Sequence, residues 1–284
     1  MSGDPEQDYL ADGMVEDIVT GLSRIKWLFV IARNSSFVYK GRAVDVRQVG
    51  RELGVRYVLE GGVRKAGARL RVTAQLVEAE TGAHLWADKF DGELKDVFEV
   101  QDQITERVVG VVEPSLRKSE IERSRRKRPE RLDAYDLYLR ASSLLTSISL
   151  VNAPIAAELL REALELDPSY AAAHAYLAWC HQIRFNHGGE FDDADRIAGL
   201  RHARIAIAEE VDDARALAVA AMAIAHLAKD VEAALAAIER ALSLNPSSAV
   251  AHYFGAQLFG WIGDSAATMH AQQALRLSPF DPEA

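Results

Sequence analysis

One cysteine, Cys180, is all that the 284-residue chain contains. A lone thiol excludes an internal disulfide and predicts a reducing, cytoplasmic compartment. Long apolar runs are missing as well: none approaches the roughly 20 residues that a helix needs to cross a bilayer, so no membrane partner is expected. Excess positive charge is also absent. The formal net charge is −9, which disfavours a general nucleic-acid partner, because affinity for phosphate backbones depends on concentrated positive charge. The first residues, Met1-Ser2-Gly3-Asp4-Pro5-Glu6, lack a basic segment leading into an apolar one, and no secretory signal is expected. Catalytic signatures are equally scarce: no Gly-x-Ser-x-Gly elbow, His-Glu-x-x-His helix or Walker loop occurs.

What is present is a repeat. Ala163-Leu164-Glu165-Leu166-Asp167-Pro168, Ala241-Leu242-Ser243-Leu244-Asn245-Pro246 and Ala274-Leu275-Arg276-Leu277-Ser278-Pro279 are near-copies, and Ala206-Ile207-Ala208-Glu209-Glu210-Val211-Asp212 is a weaker one. The leading alanines are spaced by 43, 35 and 33 residues, the last two being periods of helix-turn-helix solenoids. Each phrase reads as a last helical turn, because proline excludes the α conformation from the residue before it. Between Pro246 and Pro279, two apolar-periodic stretches, Ala249 to Trp261 and Ala266 to Leu277, are parted by Gly263-Asp264. That predicts one helical hairpin per repeat, stacked on its neighbours to bury a shared core.

The first 125 residues have a different rhythm. Met14, Val15, Ile18, Val19, Leu22 and Ile25 recur at helical spacing behind Asp12, read as an N-cap, and Trp27 to Ala32 reads as a buried strand. A second helix is expected from Asp45, with Val46, Val49 and Leu53 on one face and Gly54 as its stop. Three strands should follow. They are Tyr57-Val58-Leu59, the alternating run Leu70, Val72, Ala74 and Leu76, and Ala83 to Phe90, with turns at Lys65-Ala66-Gly67 and Glu80-Thr81-Gly82. Gly61-Gly62 follows a strand but lacks the rest of a phosphate loop, so hairpin geometry is the better reading. A long amphipathic helix carrying Leu94, Val97, Phe98, Ile104, Val108 and Val112 should kink or end at Pro114.

The repeat phrases resemble tetratricopeptide repeats (TPR). Leu177-Ala178 is similar to the leucine and small-residue pair of that family's first helix, and Ala234, Ile238 and Ala241 to its second-helix pattern. His174, His181 and His252 stand where tryptophan or tyrosine is usual. In the first half, Met1-Ser2-Gly3-Asp4-Pro5, Tyr9-Leu10-Ala11-Asp12-Gly13-Met14, Ala32-Arg33-Asn34-Ser35-Ser36 and Gly82-Ala83-His84-Leu85-Trp86-Ala87 resemble the TolB-like N-terminal domain found beside such arrays, over roughly residues 1 to 120. In bacteria that pair often follows a class III adenylate or guanylate cyclase domain, sometimes a winged-helix domain. The resemblance implies a TolB-like α/β domain with a mixed sheet over 1–125, its first strand missing, a basic, proline-containing linker over 126–132, and an all-α TPR superhelix of about four hairpins over 133–284, truncated at its C-terminus. It also implies a regulatory tail of a cyclase-like signalling protein. The alternatives are part of a cyclase enzyme whose catalytic domain lies elsewhere, or a small-ligand sensor. The family's metal-binding aspartates of cyclase catalysis cannot be placed, so the chain is expected to be non-catalytic.

Candidate chemistry thins out on inspection. His174, Cys180 and His181 lie on one helix, but zinc asks for more ligands, and packing is the better reading. Asn186 to Asp193 departs from a calcium loop and reads as an insertion ending in a helix cap. Lys118, Arg123, Arg125, Arg126, Lys127 and Arg128 read as a solvated helix end. No metal and no cofactor are expected. By resemblance, the first helix of each hairpin lines a concave groove for a protein or peptide, which places Trp179, Gln182 and Ile183, then His226, then Tyr253, Gln257 and Trp261 there. Tryptophan and tyrosine supply the apolar area and hydrogen-bonding edge enriched in interface hot spots. An uncapped last hairpin exposing Leu275 and Leu277 would invite self-association, and a cyclase domain is the other expected partner.

Overall fold

A computed structural model describes residues 5–25, 27–67, 69–93, 97–126, 133–145, 148–188, 192–208 and 212–278, with backbone alone at 5–9, Glu93, Val97 and Arg126. The phrases at Met1-Ser2-Gly3-Asp4, Glu209-Glu210-Val211 and Pro279-Phe280-Asp281-Pro282, the side chain of Leu94, and most of the segment 126–132 lie outside the described residues. The chain divides into two compact units, Met1–Leu116 and Arg117–Ala284. It is mostly helical, with one small sheet near the N-terminus.

In the first unit, α1 (Pro5–Ser23) begins well before Asp12, which is therefore inside the helix and not its cap. Its carboxylate instead receives Lys40, with Arg33 3.9 Å away. Residues 27–32 form no strand. Strand backbone needs a hydrogen-bonding neighbour, and the described sheet pairs only its own three strands. The run instead lays Trp27, Leu28 and Val30 on the core and leaves Phe29 exposed. A short α2 (Arg33–Ser36) and a single 3-10 turn, Phe37–Tyr39, lead to α3 (Val46–Leu53). There the expected punctuation is present: the Asp45 side chain accepts from the Arg47 amide, and Gly54 ends the helix at φ 67°, a conformation glycine adopts freely.

The three strands, β1 (Tyr57–Ala66), β2 (Arg69–Glu78) and β3 (His84–Glu93), form an antiparallel meander and not a mixed sheet. The short connections from β1 to β2 and from β2 to β3 allow only antiparallel neighbours. Gly61 and Gly62 lie inside β1, in one arm of the β1–β2 hairpin, opposite Ala74 and Thr73. A β-carbon at Gly61 would come within 2.4 Å of the Thr73 carbonyl oxygen, so the close backbone approach requires glycine. Leu70, Val72, Ala74 and Leu76 turn to the core while Arg69, Arg71 and Thr73 face solvent. The core side packs against Leu10, Met14 and Leu22 of α1 and Ile104, Val108, Val112 and Leu116 of α4 (Val97–Arg126). The α4 helix runs through Pro114 without ending. Proline removes one backbone bond, and the burial of Val112 and Leu116 on either side holds the helix together.

Among the described residues of the second unit, the eight helices after α4 pair in four hairpins. They are α5 (Ala134–Leu144) with α6 (Asn152–Leu166), α7 (Ala171–Asn186) with α8 (Asp193–Ile207), α9 (Ala214–Leu227) with α10 (Val231–Leu244), and α11 (Ala249–Trp261) with α12 (Ala266–Leu277). Asp167 and Asn245 adopt nearly the same extended backbone, φ −138° and −139°, and Ser278, at φ −141°, also leaves the helical region, as the residue before a proline must. Asp133, Asp192, Asp213, Asp230 and Ser248 cap the helices that follow them. Asp192 is thus the cap expected after the loop that begins at Asn186. Leu277 departs from expectation: it is fully buried, whereas Leu275 is half exposed. The basic stretch is also less free than expected, since Arg123 pairs with the buried Glu120 and Arg117 donates to the Tyr138 hydroxyl at 2.7 Å. Lys127 and Arg128 lie outside the described residues.

Candidate binding face

Odd and even helices of the array play different parts. α7 packs on α9, and α9 on α11, while the even helices have no comparable lateral contact with one another. The layer that touches itself is the inner, shorter side of a curved stack. Its middle member, α9, reads ARALAVAAMAIAHL and is buried along almost its whole length. Alanine keeps helices close, and it leaves room for large side chains on both sides to meet across it.

They meet at two levels. Trp179 of α7 and Phe254 of α11 bring their rings to 5.3 Å, tilted by 42°. Seven residues further along each helix, two turns, Asn186 of α7 donates its amide to His226 Nδ1 at 2.8 Å. The edge of His226 in turn meets Trp261 of α11, at 4.7 Å and 89°. Burial holds the His226 imidazole down to about 4, with the Lys229 charge adding to the effect, so the ring is neutral at pH 7 and free to accept from Asn186. Lys229 itself lies over the Phe185 ring at 5.2 Å.

The seven expected groove residues therefore separate. Trp261 is 49% exposed and stands at the rim. His226, Tyr253, Gln257 and Trp179 are half-buried. Tyr253 leans on Phe254 at 5.2 Å. Ile183 does not belong with them: at 1% exposure it is a core residue, because its place on α7 turns it toward the packed neighbours of that helix. Gln182 is 5% exposed, and its Oε1 has no hydrogen-bond partner among the described residues. Asn186 and Phe254 were not among the expected residues. The seven-residue spacings from Trp179 to Asn186 and from Phe254 to Trp261 are the signal that marks them.

The histidines on aromatic positions are built in by a device used twice. His174 Nε2 bonds the Pro168 carbonyl at 3.1 Å, and its Nδ1 meets His202 Nδ1 at 2.7 Å. His252 repeats this with Pro246 at 3.0 Å and His270 at 2.9 Å. In each pair the imidazole that donates to the proline carbonyl must accept at its other nitrogen. Burial pushes His202 down to about 4 and lowers His252 and His270 as well. His181 lies 3.3 Å from Asp195, whose carboxylate also takes Arg184 at 2.8 and 3.1 Å. Cys180 is buried, its thiol pushed up to about 12 by that burial, and it remains uncharged. Among the described residues no three histidine, cysteine or acidic side chains converge as metal ligands do, and no helix is long and apolar enough to cross a membrane.

The chain is 49% identical over 178 residues to "Putative adenylate cyclase 3" of Rhizobium meliloti. The match covers 63% of this chain and 30% of that protein, so the chain spans less than a third of its relative's length. No family model matches. A solved structure titled "MamA RS-1 ArsTM double mutant" is 19% identical and covers 64% of this chain and 97% of its own, at a TM-score of 0.36.

Proposed function

We propose that this chain is a non-catalytic protein-interaction segment of an adenylate cyclase-like signalling protein, with tetratricopeptide-type hairpins beside a TolB-like α/β unit. The observation that carries the reading is the inner helix layer, whose two aromatic rungs end in a half-exposed Trp261 held by His226. A peptide or protein segment docks at this rim, with Trp261, His226, Tyr253 and Gln257 as contacts and Trp179 as their support. Large aromatic surface at an exposed rim is the side-chain type whose truncation costs binding about 2 kcal/mol or more. The sequence relation to a protein named as an adenylate cyclase supports a cyclase domain as the partner, and regulation of that domain as the purpose. Among the described residues, self-association through the last hairpin rests on the exposed Ile262, Met269 and Leu275, since Leu277 is buried.

The test is binding of the purified chain to a cyclase catalytic domain, with Trp261→Ala and Trp179→Ala in parallel. Trp261→Ala should abolish binding at an unchanged melting temperature, whereas Trp179→Ala should lower the melting temperature because its ring packs on Phe254. Equal binding by wild type and Trp261→Ala would remove the rim from the reading. Cyclic nucleotide formed by this chain alone would overturn its non-catalytic part.

A further inference from the structure

The solvent face of the three-stranded sheet carries a charge pattern that folding does not need. Arg64 of β1 stands directly opposite Arg71 of β2, and Ala66 opposite Arg69. Like charges directly opposed on one face of an antiparallel pair are destabilising. The three arginines also line one open surface depression of about 550 Å³, together with Ala66, Leu70, Asp91 and Gly92. The whole chain has a net charge of −9, so this cluster is not a by-product of general basicity.

One of the three arginines is locked and two are available. Asp91, opposite Arg71 on β3, accepts from Arg71 Nε at 2.6 Å and Nη2 at 3.0 Å, which fixes the plane of that guanidinium. The same hydrogen bonding, with the charges of Arg71, Lys89 and Arg69, holds the Asp91 carboxyl below the usual carboxylate range. Arg64 and Arg69 make no hydrogen bond or ion pair with any described residue. Glu93 is placed opposite Arg69 by the register, which leaves the cluster positive even with both acids counted. Opposed β-carbons on such a face are about 5 Å apart and diagonal ones about 7–8 Å, so three long side chains can reach one tetrahedral anion. Gly62 and Ala66 carry little or no side chain on the same face of β1, which keeps the approach open.

We propose that Arg64, Arg69 and Arg71 form a binding site for the phosphate group of a small phosphorylated molecule. Guanidinium groups pair with phosphate oxygens through two parallel hydrogen bonds, and a cluster of them is the usual protein answer to a phosphate dianion. Arg64, Arg69 and Arg71 are exposed, so a phosphate group carried by a larger molecule can reach them from solvent. This site is on the first unit and does not depend on the binding face of the helical array.

The experiment is calorimetric titration of the full chain with inorganic pyrophosphate, against sodium chloride at matched ionic strength. Arg64→Gln and Arg69→Gln should each weaken pyrophosphate by about tenfold, because each removes a charge-assisted contact, while Arg51→Gln on α3 should leave it unchanged. Without ligand, Arg64→Gln should melt no lower than wild type, since it relieves the opposed pair with Arg71. Equal pyrophosphate affinity in wild type and both variants would overturn the site. So would a lowered melting temperature in Arg64→Gln with unchanged affinity, or binding of a short oligonucleotide without any binding of pyrophosphate.

Discussion

The two units solve the problem of a dry interior with different materials. Among the described residues, alanine makes up more than half of the buried core cluster of the helical unit, while Ala74 is the only alanine in the cluster of the first unit. Helices stacked side by side gain from close approach, and small residues at their crossings permit it. A sheet covered by two helices has a wider gap, which Leu70, Leu76, Phe90, Met14 and Val108 fill with bulk. The array therefore tolerates little added volume, and the sheet unit little removed volume.

Truncation should give the largest effects. Leu76→Ala, at 2% exposure, should cost about 3 kcal/mol in denaturant unfolding, and Leu217→Ala in α9, at 0%, a similar amount. The contrast between the units appears in the reverse change: Ala220→Leu in α9 should cost about 1–3 kcal/mol by overpacking. A neutral Ala220→Leu would mean that the helices are not held at close approach.

Acid should separate the units next. Seven of the eight histidines fall in the helical unit, and burial lowers His181, His202, His226, His252 and His270. A histidine whose folded value lies below its unfolded 6.5 binds fewer protons folded than unfolded. Its stabilising effect is complete above about pH 6.5 and is lost as the pH falls toward about 4. Circular dichroism should show helix lost across that window, with an effect of order 1 kcal/mol each for His202 and His226 once solvent screening is allowed for. His202→Gln should flatten the pH dependence. A helical signal unchanged from pH 7 to 4 would contradict the burial of these rings.

Helix caps should behave alike in both units. Asp45→Ala and Asp213→Ala each remove the acceptor for a helix N-terminal amide, at about 1 kcal/mol in thermal melts. Smallest is the exposed pair of Arg161 with Glu158, where Glu158→Gln should change stability by only a few tenths of a kcal/mol.

Much of the local structure is readable from residue order because its causes are local. A residue before proline cannot stay helical, so Asp167, Asn245 and Ser278 mark helix ends. Asp45 and Gly54 bracket α3, and the alternation from Arg69 to Leu76 names both faces of β2. The misreadings concern residues whose fate is set at a distance. Trp27 to Ala32 has strand composition but finds no strand to pair with among the described residues, and of the two outcomes expected at Pro114, a kink or an end, the helix does not end there because neighbouring turns are buried. Ile183 is apolar like a groove residue, and only the packing around α7 turns it inward.

The candidate sites divide in the same way. Trp179 and Trp261 stand out by residue type, but their meeting with Phe254 and His226 depends on α9 being thin enough to reach across. Sequence by itself determined many of the places where helices and strands start and stop, because caps, prolines and periodicity act within a few residues. Tertiary structure alone decided which rings meet across α9, which arginines share one face of the sheet, and which apolar residues are covered, because those depend on segments brought together from distant parts of the chain.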